Sequence, residues 1–160
     1  MSVQVDIASL IDRGGVYTDI EGSSPEEIYR EISQMISLPE GISAASVCDA
    51  LCERERIMST AVGNGIALPH ARCPILKSKD DEEICVVYLK TPIDMHAPDE
   101  LRVSIMFVLL TYDAQSHLEM LSALATLVRK DDFRKLLANH ADKNTLLNAA
   151  KKVQSKKVQR

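Results

Sequence analysis

Apolar residues come in bursts along this 160-residue chain, and their spacing changes from one burst to the next. Ile28, Ile32, Met35 and Ile36 recur at intervals of one, three and four, the pattern of a single helix face turned to a core. Just ahead of them, Ser24-Pro25-Glu26-Glu27 supplies an N-cap, a proline at the first helical position and a capping box, so a helix begins there. Pro39-Glu40-Gly41 ends it, and Ser43 caps a second helix with Val47, Ala50 and Leu51 turned inward and Arg54 at its C-terminal end. From Ala114 to Val128 the pattern is again helical, with Leu118, Leu121, Leu124, Ala125 and Val128 on the expected buried side. Asp131 to Leu137 and Asp142 to Ala150 read as two shorter helices.

Other bursts lack the helical period. Ile84 to Leu89 contains Val86-Val87-Tyr88 and reads as a strand stopped by Thr91-Pro92. Val103 to Leu110 is continuous enough for a strand buried on both faces. Ile66-Ala67-Leu68 is a brief buried strand entered through the Gly63-Asn64-Gly65 turn. Near the start, Ile7 to Ile11 predicts a single helical turn ahead of a strand at Val16-Tyr17. Helices alternating with a few strands predict an α/β sandwich. One domain is expected over residues 1–152, with no transporter domain, followed by a flexible basic tail over 153–160 that holds too few apolar residues to pack.

Composition narrows the possible roles. A hydrophobic content of 46% with 26% charged residues is ordinary for a globular domain. A net charge of -4 argues against a protein that coats nucleic acid. No apolar run is long enough to cross a bilayer, and the N-terminus lacks a basic region leading into an apolar one, so a cytoplasmic location without membrane insertion is expected. In that compartment the four cysteines should stay reduced. Cys48 and Cys52 fall on one helix face and Cys73 follows His70 by three, yet the close CxxC pairs of structural zinc sites are missing, so no metal site is assigned.

The stretch with chemistry is Arg54 to Arg72, RERIMSTAVGNGIALPHAR. Pro69 stiffens the approach to His70, and Ala67 and Ala71 leave room around its ring. A neutral imidazole has one unprotonated nitrogen, which suits His70 to accepting a group. Arg54 and Arg72 are candidate guanidinium donors, and Ser59 and Thr60 candidate neutral donors, for a transferred phosphoryl group. His117 falls in the first turn of its helix, where the dipole favours anions. His96 reads as a solvated loop residue.

The order Glu55, six residues, Val62-Gly63, two residues, Ile66-Ala67-Leu68-Pro69-His70-Ala71 resembles the signature of the type-2 enzyme IIA domains of the bacterial phosphoenolpyruvate-dependent phosphotransferase system, the fructose, mannitol and nitrogen-regulatory branch. Arg54-Glu55, Ser59-Thr60 and Gly63-Asn64-Gly65 are most similar to the nitrogen-regulatory members, and Ser116-His117-Leu118 and Asp132-Phe133-Arg134 extend the likeness. The resemblance implies a three-layer α/β/α sandwich with a small mixed β-sheet flanked by helices. It implies that the phosphocarrier HPr, or its nitrogen-branch version, phosphorylates His70 at Nε2, with Arg54 and His117 as the other active-site residues and no cofactor. The phosphoryl group would pass to an enzyme IIB, or the phosphorylation state would be read by a regulated target protein. The alternative is a regulatory module that does not transfer the group at all. Asp99-Glu100 departs from the family's usual aspartate followed by a small residue, and Arg72 and Cys73 lie where the family varies.

Overall fold

The computed structural model describes the backbone of residues 5–158 and side chains to 155. Its centre is a five-stranded mixed sheet in the order β1-β4-β5-β3-β2. The strands are β1 (Val16–Ile20), β2 (Ala61–Gly63), β3 (Ile66–Ala67), β4 (Glu83–Ile93) and β5 (Val103–Leu110). β1 runs parallel to β4, β4 antiparallel to β5, β5 parallel to β3, and β3 antiparallel to β2.

The two long strands sort their side chains by alternation. Cys85, Val87, Leu89, Met106, Val108 and Leu110 enter one core, which α2 (Pro25–Met35) and α3 (Ala44–Ile57) cover with Ile28, Ile32, Val47 and Leu51. Ile84, Val86, Tyr88, Ile105, Phe107 and Leu109 enter the other. There they meet α1 (Ile7–Gly14), α4 (Ala114–Val128), α5 (Asp131–Ala138) and α6 (Lys143–Val158). The expected three-layer sandwich therefore follows from two strands buried on both faces.

Element limits depart from the sequence expectation where tertiary contacts decide them. β4 continues past Thr91-Pro92 to Ile93. Its register slips between Tyr88, opposite Ile105, and Ile93, opposite Val103, so Pro92 lies in a bulged stretch where the missing N–H breaks no regular ladder bond. The first helix is a full eight residues and ends at Gly14, where an added Cβ would sit 2.0 Å from the Ile84 carbonyl oxygen. Glycine there lets α1 close down on β4. The last helix does not stop near Ala150 but runs to Val158, and Gln154 Nε2 donates to Val5 O at 2.6 Å. Within the described residues, then, the segment from 153 onward is helical. Two apolar expectations fail: Met35 ends α2 with 47% of its surface exposed, and Leu118 is 63% exposed. On α4, Leu124 and Val128 are buried as expected, and Met120 and Leu127 join them.

Candidate active site around His70

The segment leading to His70 is held by the sheet. Asn64 and Gly65 form a two-residue hairpin loop between β2 and β3, with φ of 58° and 76°, the left-handed conformation such tight loops demand. Asp99 fixes the loop from outside, its Oδ2 accepting the Asn64 N–H at 2.7 Å. The chain then runs beside β5: Leu109 N–H donates to Pro69 O at 2.9 Å, and His70 pairs with Leu109 as an isolated parallel bridge. His70 is thus fastened by its backbone to the C-terminal end of the central strand.

Its ring is fastened too. Nδ1 lies 2.8 Å from Leu68 O. A carbonyl oxygen only accepts, so Nδ1 carries the proton and Nε2 keeps its lone pair. Burial holds the His70 pKa below the ordinary histidine value; the Leu68 hydrogen bond opposes this by favouring the protonated ring, and Arg54 reinforces the lowering. At neutral pH the result is a neutral imidazole with a fixed, unprotonated Nε2.

His117 comes from the opposite side. Asp113 caps α4 by accepting the Ser116 N–H at 2.7 Å, which sets His117 in the first turn. Its ring centroid is 4.7 Å from that of His70, the planes inclined by 53°. Burial, then the neighbouring His70 and Arg54, lower the pKa of His117. Arg54, in the last turn of α3, acts electrostatically on both rings and spends one donor, Nη1, on Met58 O at 2.6 Å. A guanidinium has five N–H groups, so donors remain for an anion.

Ser59 and Thr60 are placed differently from the phosphoryl-stabilising role their residue type suggests. Ser59 Oγ donates to Met95 O, and Thr60 Oγ1 donates to Glu55 Oε1 at 2.7 Å. Both hydroxyl hydrogens are committed to holding the loop. Arg72 and Cys73 are exposed. The residue that sequence reasoning left out of the site is Glu55. Its carboxylate accepts from the Tyr29 hydroxyl on α2, from the Thr60 N–H at 2.7 Å and from Thr60 Oγ1 at 2.7 Å, so it ties α2, α3 and the approach to β2 together. It also favours the protonated form of His70, so it stands near enough to act on the ring. The signal was present, since Glu55 opens the signature pattern. Cys48, Cys52, His70 and Cys73 do not assemble into a zinc site: among the described residues no three or more histidine, cysteine or acidic side chains form a metal-holding group.

Taken together, a fixed neutral nucleophile, a second histidine and an arginine suit the acceptance of a dianionic group. Residues 9–153 match the family described as phosphoenolpyruvate-dependent sugar phosphotransferase system, EIIA 2. The chain belongs to this family. A nitrogen regulatory protein of Pseudomonas aeruginosa is 31% identical over 134 residues, covering 81% of this chain and 84% of that protein. The crystal structure of nitrogen regulatory protein IIA-Ntr from Neisseria meningitidis superposes with a TM-score of 0.77 at 27% identity, covering 90% of this chain and 98% of that one. The mannitol enzyme IIA of Escherichia coli, solved in complex with phosphorylated enzyme IIB, shares the fold at 13% identity with a TM-score of 0.64, over 85% of this chain and 93% of that one. The likeness to these structures extends to the α/β fold as a whole.

Proposed function

We propose that this phosphotransferase-system EIIA protein is a nitrogen-regulatory-type phosphocarrier that accepts a phosphoryl group from HPr, or a nitrogen-branch HPr, on Nε2 of His70. The observation that carries the reading is the hydrogen bond from Nδ1 of His70 to Leu68 O, which leaves Nε2 as the lone-pair nitrogen. Nε2 attacks phosphorus in line, the new N–P bond forms as the donor's N–P bond breaks, and the donor imidazole leaves. The positive charge gained by the His70 ring is stabilised through Nδ1–H by the Leu68 carbonyl. Arg54 offers its remaining N–H donors to the phosphoryl oxygens, and neutral His117 adds one more. Glu55 holds the Met58–Thr60 loop in place, with Ser59 and Thr60 as its fastenings. No cofactor enters the scheme.

The likeness to nitrogen regulatory proteins favours a readout by regulated target proteins over delivery to a sugar permease. Phosphorylation adds close to two negative charges at a surface half open to solvent, enough to switch a protein interface. Transfer onward to an enzyme IIB is the other outcome open to the same intermediate. We place the protein in the cytoplasm, where its donors act; no described helix is long and apolar enough to cross a membrane. Phosphorus–nitrogen correlation NMR of the ¹⁵N-histidine protein after reaction with phospho-HPr tests the site. Coupling of phosphorus to Nε2 of His70 is expected, whereas coupling to Nδ1, or to His117, would overturn it.

A further inference from the structure

The anchors of the two site histidines lie close together in the chain. Leu109 N–H is fastened to Pro69 O beside His70, and Asp113 caps α4, which carries His117 in its first turn. Leu110, Thr111 and Tyr112 alone join Leu109 to Asp113, so the course of this link sets how the two rings face each other. The body of α4 is held by Met120, Leu124, Leu127 and Val128, all farther along the helix. Tyr112 turns its ring outward, so packing of that ring does not hold the link.

Glu82 holds it instead. The ladder between β4 and β5 ends where Glu83 faces Leu110. One step beyond, Glu82 reaches across with its side chain, and Oε2 accepts the Tyr112 N–H at 3.0 Å. The carbonyl of the same peptide unit, Thr111 O, accepts the Leu76 N–H at 3.1 Å. Both ends of the Thr111–Tyr112 peptide are thereby fixed, immediately before the α4 cap. The backbone of Glu82 is itself secured: Arg13 Nε, on α1, donates to Glu82 O at 2.8 Å, and Glu82 N–H donates to Lys79 O at 3.2 Å. Glu82 is 5% exposed, and a carboxylate so far from water is costly unless hydrogen bonds offset the loss. Filling space does not require a carboxylate, so the acceptor oxygen is what this position uses.

We infer that Glu82 is a positioning residue for phosphoryl transfer, holding the Thr111–Tyr112 peptide so that the first turn of α4 aims the His117 ring at the group on His70. This rests on the reading of His117 as a donor to the phosphoryl oxygens. Glu82 acts through the backbone of Tyr112 and Asp113, not by contact with the reacting atoms.

The test compares Glu82→Met, which keeps the length and removes the acceptor, with Glu82→Gln, which keeps an acceptor oxygen without the charge. NMR of the ¹⁵N-histidine protein reads the His117 ring nitrogens, and quenched flow reads the single-turnover rate at saturating phospho-HPr. Glu82→Met should shift the His117 ring resonances and slow transfer on the order of tenfold, less than the roughly 100-fold that a 1 Å misplacement can cost. Glu82→Gln should restore the wild-type resonances and most of the rate. Circular dichroism shows whether each variant folds. Should Glu82→Met not fold, Glu82→Asp, which keeps charge and acceptor but falls one methylene short, takes its place with the same expected shift and slowing. Wild-type His117 resonances, or a wild-type transfer rate, in a folded Glu82→Met protein or in the folded Glu82→Asp protein standing in for it would overturn the inference. Losses in Glu82→Gln as deep as those in Glu82→Met would overturn it too. The resonances are read before any phosphoryl donor is added, so they test Glu82 even if the wild type accepts no phosphoryl group, an outcome that would strike the phosphocarrier reading itself.

Discussion

Nδ1 of His70 faces an oxygen that can accept but not donate, and that single contact leaves Nε2 as the nitrogen with the free lone pair. Two consequences follow from the lowered pKa values of His70 and His117, both caused first by burial. The rate of phosphoryl acceptance should be flat above pH 7 and fall on acidification only below the ordinary histidine value of about 6.5, as Nε2 takes up a proton. A limb centred at or above that value would contradict the account. Stability follows the same sign: the unfolded chain binds more protons than the folded one below about 6.5, so these histidines weaken the fold as pH drops through that region and contribute nothing above it. Glu55 carries a second expectation. Tyr29→Phe removes one donor to its carboxylate and should cost about 1.5–3 kcal/mol in urea unfolding, the range for a hydrogen bond to a charged group. It should also slow phosphorylation through misplacement of the end of α3 and the Met58–Thr60 loop. The sequence carried His70, Arg54 and His117 through residue type and family pattern, but the commitments of Ser59 and Thr60 depend on which partners the fold brings within 3 Å, and no local pattern encodes that.

At the level of elements, capping chemistry was the most readable feature. Ser24 and Ser43, both read as caps, each accept an N–H three residues on, and α4 begins and ends where its pattern says; the Asp113 cap of α4 was not read from the sequence. Strand ends were less readable, because a strand stops where its neighbours stop. Pro92 is tolerated because it lies past the last β1 pairing, at Leu89, and within the bulged stretch against β5. The strand β2 is three residues long and could be recognised only from its pairing with β3. Close approach was invisible for the same reason, since nothing in Arg13-Gly14-Gly15 announces the β4 backbone. Gly14→Ala should therefore destabilise the domain by roughly 3 kcal/mol, the upper part of the range for overpacking, because its Cβ meets backbone and not a side chain that can turn away. Thermal unfolding measures this, and a shift within error of wild type would show that α1 can lift from the sheet at little cost.

Across the whole molecule, the misplaced apolar residues acquire a meaning once the site is assembled. Leu118, beside His117, is 63% exposed, and Ile57 and Met58, just beyond Arg54, are 59% and 69% exposed. Apolar side chains flanking a charged centre suit a surface that docks a protein donor and then parts from it. Leu118→Asp and Met58→Asp should raise the KM for phospho-HPr about tenfold while thermal stability stays within the small range of surface changes. Unaltered kinetics in both would place donor docking elsewhere. The central claim is tested most directly by intact-mass analysis after incubation with phosphoenolpyruvate, enzyme I and HPr, comparing the wild type with His70→Ala. The account predicts one acid-labile phosphoryl group on the wild type and none on the variant. A wild type that takes up no phosphoryl group while the same donors phosphorylate a control enzyme IIA, or a His70→Ala protein that takes it up equally, would contradict it.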